Sequence, residues 1–315
     1  MKTAKTLLQQ IFTRRIKEFI KEKILPRKLL VKIQLYRYLH KIQKTAPEKL
    51  KARRLLKFDI HVADHCNLNC RGCEHFSCIA EEKFLDPDTF DRDCARISEL
   101  TQGQLDDISV LGGEPLLHPK LTEFLNIIRK YFKTCGIKIV TNGILLLKQK
   151  DEFWENCKLN NAEIIITVYP VKIDHEAIQD RAQKYGIKLR YWGDPGEITK
   201  WQRRPLDLQG KQNINDSFRL CYMANGCIQL VDGKLYTCAV IAYIKYFNKY
   251  FNKNLEVTEQ DYIDIYKVKN IDEVFNFLCK PMPFCRYCNI KKTVLEIKWS
   301  VTKKDIREWT SYQQW

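Results

Sequence analysis

The sequence predicts an α/β fold: a partial (β/α)6 barrel, preceded by a basic helical extension and followed by a small Cys-rich domain. Three observations lead there. From Lys57 onward, short apolar runs of strand length alternate with longer stretches of helical period. The motifs rich in Cys, Gly and Asn fall where those runs end, which is where parallel sheets place their sites. The basic charge and a second group of cysteines lie outside the alternating part. The boundaries drawn from this are 1–57, 58–213 and 214–315.

Each element has its own reason. Phe58 to Ala63 reads as the first strand, delivering a Cys-rich loop at its C-terminal end. Asp86 is a good N-cap and Pro87 suits the first helical position, with Phe90, Cys94, Ile97 and Leu100 on the buried side. Ile108 to Leu111 is the second strand. Pro119 opens a helix whose Leu121, Phe124, Leu125, Ile128 and Phe132 share one face. Ile137 to Thr141 is the third strand, ending in Asn142-Gly143, and a helix near 149–158 precedes the fourth, Ile164 to Val168. A helix over 174–185 leads to the fifth, Ile187 to Tyr191, and a sixth is expected within 205–219. Such alternation implies parallel strands joined by right-handed crossovers.

Residues 1–57 hold 18 Lys and Arg against 3 Asp and Glu, a net of +15 out of +16 for the whole chain. Leu8, Ile11, Phe12, Ile16, Phe19, Ile20 and Ile24 recur at helical spacing, Pro26 interrupts, and a second helix is expected over 27–42. Two helices packed on the barrel are one reading, and a basic amphipathic helix on an anionic membrane surface is another. Nucleic acid is not favoured, because no recognisable binding module is present. No run of 18 apolar residues and no signal peptide is visible, so a cytoplasmic protein is expected, at most peripheral on the inner face of the membrane. The 13 cysteines then read as metal ligands and free thiols rather than disulfides.

Cys66, Cys70 and Cys73 are spaced C-x3-C-x2-C, with no fourth Cys or His at zinc-finger distance. Thiolates are soft ligands for zinc or iron–sulfur clusters, and a structural zinc site normally closes with a fourth protein ligand. Three Cys can hold three irons of a 4Fe–4S cube and leave the fourth open for chemistry. About forty residues on, Gly112-Gly113-Glu114-Pro115 ends the second strand. Its glycines allow the main chain close to a ligand, and a carboxylate beside them suits an ammonium.

Together these two motifs resemble the radical S-adenosylmethionine (SAM) enzymes, whose fold is a partial (β/α)6 barrel. The resemblance implies a 4Fe–4S cluster on Cys66, Cys70 and Cys73, and SAM whose amino group meets the element at 112–115. The family's usual aromatic before the third Cys is Gly72 here. Phe76, or His75 beside it, is the substitute for the adenine contact, and Asn142 and Thr167 become contacts to the ribose or carboxylate. A flavodoxin- or ferredoxin-type donor is the implied source of electrons.

Further on, Cys221-x11-Gly233-x4-Cys238, with Cys285-x2-Cys288, is similar to the auxiliary-cluster domain called Twitch, a short form of SPASM. That resemblance implies a second, fully ligated 4Fe–4S cluster. A four-Cys zinc knuckle is the bland alternative, and Cys227 and Cys279 compete as ligands. Val231 to Lys234 reads as the hairpin turn. Twitch dehydrogenases of the 2-deoxy-scyllo-inosamine type share this order of Cys elements, and the stretches around His75 and 283–288 look like radical SAM proteins of cell-surface polysaccharide synthesis. The implied reaction is oxidation or epimerisation of a sugar carbinol, the sugar free or held on a nucleotide or lipid. Arg190, Arg203 and Arg204 are the candidates to orient or deprotonate the hydroxyl, and Cys227 to return a hydrogen atom. The alternatives are a radical SAM peptide maturase, which lacks a strand-rich segment in 1–57 to bind its peptide, and a zinc-stabilised basic nucleic-acid-binding protein.

Overall fold

A computed structural model of the chain describes residues 27–49, 56–194 and 200–311. The chain forms two compact units, residues 1–45 and 46–315. Helix α1 (Arg27–Lys49), most of which belongs to the first, contains the helix expected over 27–42 and runs on to Lys49. The apolar repeat from Leu8 to Ile24 lies outside the described residues. No helix among the described residues is long and apolar enough to cross a membrane.

In the second unit the βα alternation is as expected. Strands β1 (Leu56–Ala63), β2 (Leu105–Gly112), β3 (Gly136–Thr141), β4 (Ala162–Thr167) and β5 (Leu189–Trp192) are parallel neighbours. The intervening helices are α2 (Pro87–Thr101), α3 (Leu121–Tyr131), α4 (Asp151–Leu159) and α5 (His175–Tyr185). Asp86 caps α2 by accepting the Thr89 N–H at 3.1 Å, and Asp174 caps α5 by accepting the Ala177 N–H at 3.0 Å. Alternate residues of each strand bury outward against these helices. Phe58, Ile60, Val62, Ile108, Val110, Ile137, Ile139, Ile164 and Ile166 meet Phe90, Phe124, Ile128 and Trp154 in one core.

The inward face is different. Gln229, Asp59, Ser109, Lys138 and Glu163 stand in register across neighbouring strands, a polar row below the level of the motifs.

The sixth strand is not in 205–219. That segment turns into helix α6 (Ile214–Arg219), capped by Asn213, whose side chain accepts the Asp216 N–H at 2.9 Å. The next strand in sequence, β6 (Lys200–Arg203), pairs antiparallel with β10 (Val294–Lys298) outside the main sheet. The sheet grows instead at its other edge. Strand β7 (Gln229–Val231) lies parallel to β1, followed by β8 (Lys234–Tyr236) and β9 (Tyr262–Asp264), giving the order β5-β4-β3-β2-β1-β7-β8-β9. The result is a mostly parallel, unclosed sheet with helices, the partial-barrel arrangement. Residues 214–315 share the compact unit of the barrel strands through the β1–β7 pair. Asp232 and Gly233 both have positive φ, as a two-residue hairpin turn between β7 and β8 requires.

Beside the barrel, helix α7 (Ala239–Phe251) anchors a second core with Phe76, Phe284, Tyr287 and Trp309.

Candidate active site

Strand β1 ends at Ala63 and hands the chain to the Cys66–Cys73 loop. The element at 112–115 lies directly against it. The Gly113 N–H donates to the Ala63 carbonyl at 2.7 Å, and the Glu114 N–H to the His65 carbonyl at 3.1 Å. A Cβ on Gly112 would fall 2.2 Å from Ala63 O, and one on Gly113 2.1 Å from His65 O. The glycines therefore serve the approach of one main chain to another, which the sequence reading had assigned to a ligand. Both still line the cavity described next.

One cavity of about 260 Å³ gathers most of the expected residues: Cys66, Cys70, Cys73, Gly112, Gly113, Asn142, Thr167, Arg203 and Cys227. It sits at the C-terminal ends of β1 to β5. The Cys66 sulfur receives the Leu68 N–H at 3.3 Å and the Asn142 amide at 3.8 Å, and that amide also donates to Asn67 Oδ1 at 2.7 Å. Asn142 thus ties the end of β3 to the Cys loop. Burial pushes the Cys66 thiol up, and Cys70 is pushed up to about 12 by burial and then by Cys73. Gly72 has φ +59°, a conformation a bulky side chain resists, and its carbonyl accepts from Arg203 Nε at 3.2 Å.

The Glu114 carboxylate is fully enclosed. Oε1 accepts the Thr141 hydroxyl at 2.6 Å and the Leu116 N–H at 3.1 Å, and Oε2 accepts the Asn142 N–H at 2.9 Å. Burial holds the group up at about 7 against these bonds. The carboxylate clamps β2 to β3, so what the 112–115 element presents to the cavity is glycine main chain and not an acidic side chain. Pro115 is buried at the start of the next turn.

Three more expectations change. Phe76, at φ +57°, is buried in the second core with ring centroids 5.8 Å from Phe247 and 6.3 Å from Trp309, so it lies outside the cavity. His75 lines the cavity in its place, backed by His61 with 2.6 Å between His61 Nε2 and His75 Nδ1. Arg190 shares a strand face with Trp192 but sits two residues closer to the start of β5, where Glu163 takes its guanidinium. Arg204 is buried and pairs with Glu74 at 2.5 Å, under the Tyr222 ring, whereas Arg203 reaches the cavity wall and stands 3.5 Å from Glu74.

The later cysteines converge too. Cys238 is the N-terminal cap of α7, Cys221 follows α6, and Cys285 and Cys288 bracket a tight turn. Burial raises the thiols of Cys238, Cys285 and Cys288, and for each the next cause is another member of this set. Four thiols in one region are a soft donor set of the kind that fits an iron–sulfur cluster or zinc. Cys227 is pushed up to about 12 by burial and then by Asp59, and it opens onto the cavity. Cys279 instead meets the Asn225 amide at 3.8 Å. Among the described residues no three His, Cys, Asp or Glu side chains meet as a site for a single metal ion.

Sequence reasoning missed the side chains that arrive from afar. Tyr169, Trp192, Tyr222 and Met223 complete the cavity wall, with Glu74 next to Cys73. The segment after β10 crosses the Cys loop: the Arg71 N–H donates to Ser300 O and the Thr302 N–H to Asn69 O, both at 2.9 Å. Trp299 and Trp309 come with it. The ends of β4 and β5 were the only signal for Tyr169 and Trp192, and no local pattern announced Trp299 and Trp309.

Residues 60–194 match the sequence model of the Radical SAM superfamily. That segment is similar to the radical SAM domains, a family whose members carry a 4Fe–4S cluster and SAM. The chain is also similar to the GTP 3′,8-cyclase of Synechocystis sp., 33% identical over 108 residues, covering 33% of this chain and 31% of that protein. The GTP 3′,8-cyclase of Alkaliphilus oremlandii is 30% identical over 97 residues, covering 31% and 30%. The chain thus spans about three tenths of the length of these two relatives. Among solved structures, BtrN in complex with AdoMet and 2-DOIA superimposes with a TM-score of 0.49 at 17% identity, over 76% of this chain and 94% of that one. Native anSMEcpe with bound AdoMet gives 0.43 at 12% identity, over 75% and 83%.

Proposed function

We propose that this chain is a radical SAM enzyme that oxidises a carbinol carbon of a sugar or sugar-like substrate. The observation that carries the reading is the cavity itself: three thiols, two glycines of bare main chain and the strand-end residues Asn142 and Thr167 face one space. Soft ligands beside main-chain acceptors are the donor set that a cluster with an open iron and an amino acid ligand require. When bound, SAM and a cluster held by Cys66, Cys70 and Cys73 would supply the radical chemistry that takes a hydrogen atom from carbon, and Cys221, Cys238, Cys285 and Cys288 would hold a second cluster able to take up an electron.

The protein does the rest. The main chain at Gly112–Gly113 holds the amino acid end of SAM, and Asn142 and Thr167 hold the ribose or carboxylate. Arg203 orients the substrate hydroxyl from the cavity wall. Tyr169, Trp192 and Tyr222 keep water from the reacting carbon.

The placement of Cys227 favours a second outcome at the same site. Its thiol lines the cavity, so it can return a hydrogen atom to the opposite face and epimerise the carbon rather than oxidise it. A nucleotide substrate, as the name GTP 3′,8-cyclase implies for the two relatives, is the competing reading.

The proposed setting is cell-surface polysaccharide synthesis in the cytoplasm, on a nucleotide- or lipid-linked sugar, with a flavodoxin- or ferredoxin-type donor. The basic stretch 1–57 supports peripheral membrane association. The test is anaerobic turnover with deuterated nucleotide sugars, read by mass spectrometry. Deuterium carried into 5′-deoxyadenosine with a keto sugar as product supports oxidation; solvent hydrogen at an inverted carbon supports epimerisation. Deuterium transfer from a peptide or from GTP, and from no sugar, contradicts both.

A further inference from the structure

Cys70 has an unusual neighbour. The indole Nε1–H of Trp299 donates to the Cys70 sulfur at 3.1 Å, across 229 residues of sequence. The contact is built rather than incidental. Cys70 and Val301 form an antiparallel bridge, and the two flanking main-chain bonds, Arg71 N–H to Ser300 O and Thr302 N–H to Asn69 O, fix the register. Trp309 adds a second indole, whose Nε1–H donates to the Cys73 carbonyl at 2.8 Å. The Trp299 ring stands edge-on to Tyr169, with centroids 6.2 Å apart, and the Tyr169 hydroxyl also bonds to Cys70. The segment at 299–302 is therefore laid along the Cys loop so that one side-chain donor reaches one sulfur.

We propose that Trp299 is a positioning residue that sets the reduction potential of the cluster held by Cys66, Cys70 and Cys73. This rests on the function proposed above. Reduction adds one electron, supplied from outside by a one-electron donor, and part of its charge goes onto the ligating sulfurs. A hydrogen-bond donor aimed at a sulfur stabilises the more negative form and raises the potential. The C-terminal segment thus acts on the electron that starts the reaction without touching SAM or substrate.

The test is a redox titration of the reconstituted full chain under anaerobic conditions. The cluster at Cys66–Cys73 is recognised by the electron paramagnetic resonance signal that changes when SAM is added. Two variants are compared with the wild type. Trp299→Phe removes the N–H and part of the ring. Benzothienylalanine at position 299 keeps both fused rings and replaces only the N–H by sulfur. The expected result is a lower, more negative potential in both, with iron and sulfide content unchanged. If Trp299→Phe loses its iron, the benzothienylalanine protein decides alone. An unaltered potential in that protein, with the cluster in place, overturns the proposal. A wild-type chain that takes up no iron overturns the functional reading first, and this proposal with it.

Discussion

Gly113 is packed main chain against main chain on His65, leaving no room for a Cβ 2.1 Å from the His65 carbonyl oxygen. The clash is with backbone, so no rotamer change relieves it. Gly113→Ala is expected to push the Cys loop away from β2 and cost on the order of 1–3 kcal/mol or more. Iron bound after reconstitution and the thermal midpoint of the metal-free protein both fall. A variant with normal iron uptake would show that the loop is not held there.

The Glu74–Arg204 pair tests the wall between the two Cys sets. Both groups are buried, and Cys221 and Cys288 each feel the Arg204 charge or are felt by it. Arg204→Met leaves Glu74 with only Arg203, 3.5 Å away, and is expected to cost on the order of 2–4 kcal/mol in urea unfolding of the metal-free chain. The double variant with Glu74→Gln recovers part of that, because the buried charge is gone. Equal losses in single and double variants would contradict the pairing.

The arginines separate by position. Arg190→Ala removes a guanidinium held by Glu163 outside the cavity and is expected to leave kcat/KM within about twofold. Arg203→Ala opens the cavity wall and is expected to lower kcat/KM by roughly ten- to a hundredfold. The reverse ranking, measured with the same substrate, would refute the placement.

Asp59 gives a pH dependence with a definite sign. Burial raises its carboxyl from 3.8 to about 6, against hydrogen bonds from Ser109 and Gln229. The folded state then holds a proton that the unfolded state has lost, so stability falls as pH rises from about 4 to about 6. Asp59→Asn keeps an oxygen to accept the Gln229 amide and carries no charge. Its thermal midpoint is expected to exceed that of the wild type above pH 6, with the gap closing below pH 4. A constant gap across that range would rule out the buried carboxylate as its source.

Much of the fold was legible. Short apolar runs of strand length marked the five barrel strands, and Asp86 marked the start of α2, because both signals are local. What failed is what depends on depth and register. Alternation puts Arg190 and Trp192 on one face, but not at one height along the barrel. The direction of the Glu114 carboxylate follows from the β1–β2–β3 register, which decides that Thr141 and the Asn142 N–H surround it. Phe76 turns into a core made by α7 and Trp309, from far down the chain. The extra parallel strand comes from Gln229–Val231, because a short strand beside β1 is specified by its partner and not by its own sequence. The Cys motif was legible in full; the indole beside it was not.

The central claim is that Cys66, Cys70 and Cys73 hold a cluster that cleaves SAM. Its most direct test is 5′-deoxyadenosine formed from SAM by the anaerobically reconstituted, reduced chain, alone and as the Cys66→Ala, Cys70→Ala and Cys73→Ala variants. The account predicts steady 5′-deoxyadenosine and methionine from the wild type and from Cys238→Ala, and none from any of the three loop variants. SAM left intact by the iron-loaded wild type, or cleaved equally by the loop variants, would contradict it.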